Sequence, residues 1–94
     1  MNWKKLINPW IPEKENDEIE GKLIRIDEEV GENKSMLYTL ETENYVRGVW
    51  GSTVLDEKMK IFEVGDYVKI VFLGKKKGSK KEGYKDFDVF KGTD

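Results

Sequence analysis

Ninety-four residues, 38% of them charged, at a formal net charge of −2 and without cysteine or histidine, allow one small domain. That inventory excludes a disulfide framework, thiolate metal sites and histidine-based acid–base or metal chemistry. The small net charge hides a division. Residues 1–66 hold nine basic and fifteen acidic side chains, whereas residues 67–94 hold eight basic and four acidic ones. From Lys69 to Lys85, seven lysines face the single acid Glu82, and a field of that kind acts locally, over roughly one Debye length of about 8–10 Å.

In chain order, residues 1–17 show no period, and Trp3 and Trp10 beside Pro9 and Pro12 suit an extended arm. Ile19 to Ile26 reads as a strand whose apolar parity switches next to Gly21, as a bulged and strongly coiled strand requires. Gly31 to Lys34 is a turn signal. Met36 to Thr42 then alternates, with Met36, Tyr38 and Leu40 on one face, and Glu43-Asn44 connects it tightly to a third strand, Tyr45 to Trp50. Thr53-Val54-Leu55-Asp56 has a helix-start pattern, and Leu55, Met59 and Phe62 make one apolar stripe over two turns. Gly65 ends that unit. Tyr67 to Leu73 alternates clearly, with Val68, Ile70 and Phe72 on one face, and Gly74 to Gly83 is a lysine-rich loop leading into a last strand, Tyr84 to Phe90.

Three strands, a short helix and two strands are too few residues to protect two open sheet edges, so closure into a mainly β, five-stranded barrel is expected over residues 18–92. The order is that of the OB-fold, with its one helix between strands 3 and 4 and a binding face on strands 2 and 3.

Two constellations point to nucleic acid. Lys75, Lys76, Lys77, Lys80 and Lys81 in the loop, with Lys69 and Lys85 at its stems, make a cationic finger suited to phosphates. The alternative for such a run is a solvated loop. Tyr45, Arg47 and Trp50 on the third strand and Tyr84 on the last offer rings and a guanidinium on which bases stack. Their alternative is core packing. Strand parity sends Arg47 and Tyr45 outward and Trp50 inward, unless a bulge near Gly48 turns Trp50 out. Trp3 and Trp10 are expected to pack on their own domain, with docking on a partner as the alternative. Nine acids against three bases between Glu13 and Glu32 belong away from a phosphate-binding face, and they carry no calcium-loop spacing. No catalytic constellation is marked out, no glycine-rich loop precedes a helix, and no cofactor is expected. The longest apolar run, Ile70 to Leu73, is far below the ~20 residues of a membrane span, and the first residues lack a secretory pattern, so a cytoplasmic setting is expected.

The segments Trp10-Ile11-Pro12, Asp17-Glu18-Ile19-Glu20-Gly21, Val30-Gly31-Glu32-Asn33, Tyr38-Thr39-Leu40-Glu41, Val49-Trp50-Gly51-Ser52-Thr53-Val54-Leu55, Val64-Gly65-Asp66, Leu73-Gly74-Lys75 and Tyr84-Lys85-Asp86-Phe87 together resemble small OB-fold, single-stranded DNA-binding-like proteins of bacteriophages and mobile elements. The resemblance spans nearly the whole chain. It implies single-stranded DNA binding with little sequence preference, DNA ahead of RNA. A protein–protein adaptor in a replication assembly, or self-association, through the Trp3/Trp10 arm is the alternative. The chain departs from bacterial single-stranded DNA-binding proteins in having no long acidic stretch after its last strand, which argues against partner recruitment of that kind.

Overall fold

The computed structural model describes residues 8–76 and 83–92. The elements are β1 (Asn8–Pro9), β2 (Glu18–Val30), β3 (Ser35–Glu41), β4 (Val46–Trp50), α1 (Thr53–Met59), β5 (Tyr67–Lys76) and β6 (Tyr84–Lys91). They form one sheet in the order β1-β4-β3-β2-β5-β6, in which β2 to β6 pair antiparallel and the two-residue β1 runs parallel to β4.

The long β2 serves two ladders. Its first half, Glu18 to Lys22, pairs with β5, and its second half pairs with β3. Between them the register shifts at Leu23/Arg25, so that Leu23 and Ile26, three residues apart, both sit opposite core residues of β3, Leu40 and Tyr38. Ile24 is the extra residue and is left exposed. This is the parity switch expected beside Gly21. Gly21 itself has no room for a side chain, because a Cβ there would stand 2.5 Å from the Glu41 carbonyl oxygen. Only glycine lets β2 cross so close to the end of β3.

The core follows the alternation of the strands. Leu23, Leu40, Val49 and Ile70 are fully enclosed, with Tyr38, Val68, Phe72 and Phe87 beside them. The helix contributes Leu55 and Met59, and Phe62 just beyond its end completes the expected stripe. Its N-cap is Ser52, one residue before the expected Thr53, with the Ser52 hydroxyl accepting from the Leu55 amide at 3.4 Å. Asp56 does not fold back on the helix start. It accepts a hydrogen bond from the Tyr38 hydroxyl at 2.7 Å, which ties α1 to β3.

The sheet stays open, in contrast to the expected closed barrel: among the described residues no ladder joins β6 to β4 or β1. The reason is local. The outer edge of β4 is occupied by β1 and by the Trp10 amide, which donates to Gly48 at 2.7 Å. On β6, the Phe87 amide donates to Asp86 at 2.9 Å and the Phe87 carbonyl accepts from the Lys58 ammonium of α1. Side chains bridge the seam instead. Trp10, only 9% exposed, packs on Phe87 at 6.4 Å between ring centroids, and Phe72 stacks behind Phe87 at 5.5 Å. The arm expected over residues 1–17 is thus integrated into the domain from Asn8 onward, and Trp10 is spent on the core; Trp3 lies outside the described residues.

Candidate nucleic-acid interface

The β5–β6 hairpin carries its cations in a specific register. Beyond Phe72, which faces Phe87, β5 has a bulge at Leu73, and Gly74 adopts a φ of 91°. The extra residue flips the parity of β5. Lys75 is thereby placed directly opposite Lys85, and Lys76 opposite Tyr84. Lys85 shares the parity of Phe87, so this pair prolongs the core-facing side of the hairpin past the end of the core. Lys76 and Tyr84 lie on the outer side. All four are exposed. Neither Lys75 nor Lys85 has an acidic partner among the described residues. Lys77, Lys80 and Lys81 lie outside the described residues.

Lys85 also borders a cleft of about 170 Å³ at the seam, lined by Trp10, Pro12, Trp50, Ser52 and Phe87. Trp50 is 43% exposed. It stands on the lip of this cleft, and its other side borders a second hollow formed by Val30, Gly31, Glu32, Asn33 and Ser35 of the β2–β3 turn. Gly31 lies under the indole, whose nearest atom is 3.8 Å from a Cβ placed there. A space of this size takes one ring rather than a drug-sized molecule.

Tyr45 and Arg47 do not join this group. The uninterrupted β3–β4 register pairs Arg47 with Leu40 and Val49 with Tyr38, so Arg47 has core-facing parity and Trp50 has outward parity. This reverses the expectation that Arg47 points outward and Trp50 inward, and no bulge near Gly48 is involved. A cation is tolerated on the inner side because β4 is near the sheet edge. There Arg47 donates to the Pro9 carbonyl at 3.4 Å and its guanidinium lies 5.7 Å from the Tyr45 ring centroid. Tyr45 is exposed, but it stands just before β4, roughly 16 Å along the chain direction from Trp50 at the strand's other end. Lys69 is also separate. It projects from the outer face of β5, opposite Glu20, and pairs with Glu18 at 3.5 Å.

The sequence-derived residues therefore fall into one assembled group, Trp50 with Lys75 and Lys85, an adjoining outer pair, Lys76 and Tyr84, and two detached elements. Trp10 and Phe87, not singled out for the site, form the wall of its cleft. Sequence reasoning also missed Tyr67 and Phe90, which stand exposed on the outer face of β5 and β6 and border a surface groove of about 670 Å³. Their signal was available: both have the parity opposite to Val68, Ile70 and Phe87. Among the described residues no group of three or more acidic side chains is arranged to hold a metal ion, and no helix is long and apolar enough to cross a membrane. No protein-family model, curated protein or solved structure matches the chain.

Proposed function

We propose that the chain is an OB-type, partly open barrel that binds single-stranded nucleic acid, DNA ahead of RNA, across the seam between β4 and the β5–β6 hairpin. The observation that carries this reading is the Lys75–Lys85 pair. Like charges directly opposite one another in a ladder are destabilising. An ammonium pair of this kind, with no acidic partner among the described residues, is relieved by an anion shared between the two, and a backbone phosphate is such an anion.

Trp50 supplies the second half. Its exposed indole offers a platform for one base, worth about 1–3 kcal/mol by the usual cost of removing a stacking ring. The cleft beside it has the size of a single ring. Lys76 and Tyr84 extend the path over the hairpin's outer side, and Lys77, Lys80 and Lys81 add charge in the same connection of the sequence. Tyr45 with Arg47 is a remote contact, reached only by a longer strand. Stacking and phosphate contacts inspect no base edges, so little sequence preference follows.

Titration of a labelled oligothymidine at low salt, followed by fluorescence anisotropy, tests this. Binding that weakens with salt, and that is lost in Lys75→Glu/Lys85→Glu and reduced in Trp50→Ala, supports the proposal. No binding at low salt, or equal binding by those variants, overturns it. An oligouridine run in parallel decides between DNA and RNA.

A further inference from the structure

The cleft beside Lys85 has a one-sided chemistry. Trp10, Pro12 and Phe87 give it apolar walls, and the polar side chains on its lining are those of Trp10, Trp50, Ser52 and Lys85. The two indoles and the ammonium can only donate hydrogen bonds. Ser52 carries the one hydroxyl, and its oxygen already takes the Leu55 amide at 3.4 Å, which leaves its proton to give. Among the described residues, neither indole N–H nor the Ser52 O–H donates to another group.

No carboxylate or amide side chain lines the cleft. Two acids flank it in the chain, and both are engaged elsewhere. Asp56, which a side chain at Gly51 would strike, accepts the Tyr38 hydroxyl at 2.7 Å. Asp86, between Lys85 and Phe87, accepts the Phe87 amide at 2.9 Å and faces Lys58 at 3.7 Å. Gly51 also fixes the two residues beside it. Its amide donates to the Met36 carbonyl at 2.8 Å, and the space against Asp56 and Met36 admits no Cβ, so Trp50 and Ser52 are held in one relation.

A space of about 170 Å³ that takes one ring suits a pyrimidine better than the fused rings of a purine. A base enters such a cleft tip first, the tip being C4, which lies across the ring from the glycosidic N1. At that position thymine and uracil carry the acceptor O4, whereas cytosine carries the donor N4 amino group. Against a lining of donors the carbonyl is satisfied, and the amino group loses its water and finds no acceptor side chain.

We infer, building on the nucleic-acid reading of this seam, that the cleft selects a 4-keto pyrimidine, thymine or uracil, over cytosine at one position of the bound strand. The ring lies against Trp50, O4 takes the unused donors of the lining, and the adjoining phosphate stays on the Lys75–Lys85 pair, of which Lys85 is also part of the cleft. Along the rest of the path nothing inspects a base edge, so the preference is confined to this position.

The experiment uses the full chain with labelled oligothymidine, oligodeoxyuridine and oligodeoxycytidine of one length, followed by anisotropy at low salt. Oligothymidine is expected to bind about tenfold tighter than oligodeoxycytidine, the order of effect of one buried donor left unpaired. Oligodeoxyuridine is expected to follow oligothymidine, because the two share O4. The ratio is expected to shrink toward one in Ser52→Gly, which removes the hydroxyl but leaves a residue suited to the start of α1, or in Trp50→Phe, which keeps a ring and removes an N–H. Equal affinity of the parent chain for the three strands overturns the inference and leaves the interface reading standing, whereas absence of binding to any of them overturns both. A ratio unchanged in both variants overturns it by assigning the preference to the strand. Oligodeoxyuridine that behaves like oligodeoxycytidine overturns it by assigning the preference to the thymine methyl group.

Discussion

Lys75 and Lys85 face each other across the β5–β6 ladder, a placement produced by the single extra residue at Leu73 and the left-handed turn of Gly74. Two ammonium groups held in register are a cost to the folded chain in the absence of an anion. Neutralising one of them separates stability from binding. Lys85→Gln is expected to raise stability by about 0.2–1 kcal/mol in chemical denaturation while weakening oligonucleotide binding. The salt dependence of binding should become shallower by roughly 0.7 in its log–log slope, the value of one phosphate contact on a single strand. A variant less stable than the parent with unchanged salt dependence would show that the pair is not an anion site.

The seam is held by rings where a ladder would close a barrel. Trp10 is buried against Phe87, which stacks on Phe72. Trp10→Ala should therefore cost about 3–5 kcal/mol, the usual range for deleting a large aromatic from a core. It should also abolish the cleft beside Lys85. Urea unfolding measures the first effect. A loss below about 1 kcal/mol would mean that the segment around β1 does not form part of the core.

Tyr38 sets the alkaline limit. Burial first, and then its hydrogen bond to the Asp56 carboxylate and the charge of that group, push its ionisation well above the ordinary tyrosine value. A group whose pKa is raised in the folded state contributes stability that is complete below the unfolded value, near 10, and disappears as the pH rises through the folded value. Stability should thus fall above about pH 10, and Tyr38→Phe should flatten that fall. At neutral pH the same substitution is expected to cost about 1–2 kcal/mol, because it leaves Asp56 without its donor. An unchanged alkaline profile in Tyr38→Phe would contradict the assignment.

Two carboxylates set the acid limit. Asp17 accepts the amides of Glu13 and Lys14 at 2.9 and 3.1 Å, and Asp66 accepts the Glu63 amide at 2.9 Å with Lys91 nearby. The backbone hydrogen bonds are the chief reason that both ionise below the usual carboxylate value. A depressed folded pKa contributes stability above the unfolded value, near 3.9, that is lost as the pH falls through the folded one. Melting temperature should drop below about pH 4, and less steeply in Asp17→Asn/Asp66→Asn. Parallel profiles for parent and variant would contradict this.

Much of the fold was legible because period and burial agree. Met36, Tyr38 and Leu40, then Leu55, Met59 and Phe62, then Val68, Ile70 and Phe72 each lie on one core-facing side, as their spacing requires. The parity switch near Gly21 was legible for the same reason, since an apolar pattern that changes face needs a bulge. The seam was not. A two-residue parallel strand that itself contains Pro9 has no period, and the seam beside it rests on the hydrogen bond from the Trp10 amide to the Gly48 carbonyl and on one buried indole. The candidate site was legible in composition but not in arrangement. Arg47 looked outward because it is charged, yet a position near the sheet edge let it share the face of Val49 and reach the Pro9 carbonyl. That displacement put Trp50 on the outer side. Lys69 was indistinguishable by sequence from the other lysines, and only the β2–β5 register shows that Glu18 holds it. Tyr67 and Phe90 carry the parity opposite to the core, which in the sequence distinguishes them from no other exposed strand position.

The most direct measurement is a residue-resolved NMR titration of the isotopically labelled chain with oligothymidine at low salt. The Trp50 indole N–H and the amides of Lys75, Tyr84 and Lys85 are expected to shift together and saturate, while those of Tyr67 and Phe90 stay in place. Shifts confined to the Tyr67–Phe90 groove, or none at Trp50 and Lys85 at saturating oligonucleotide, would contradict it.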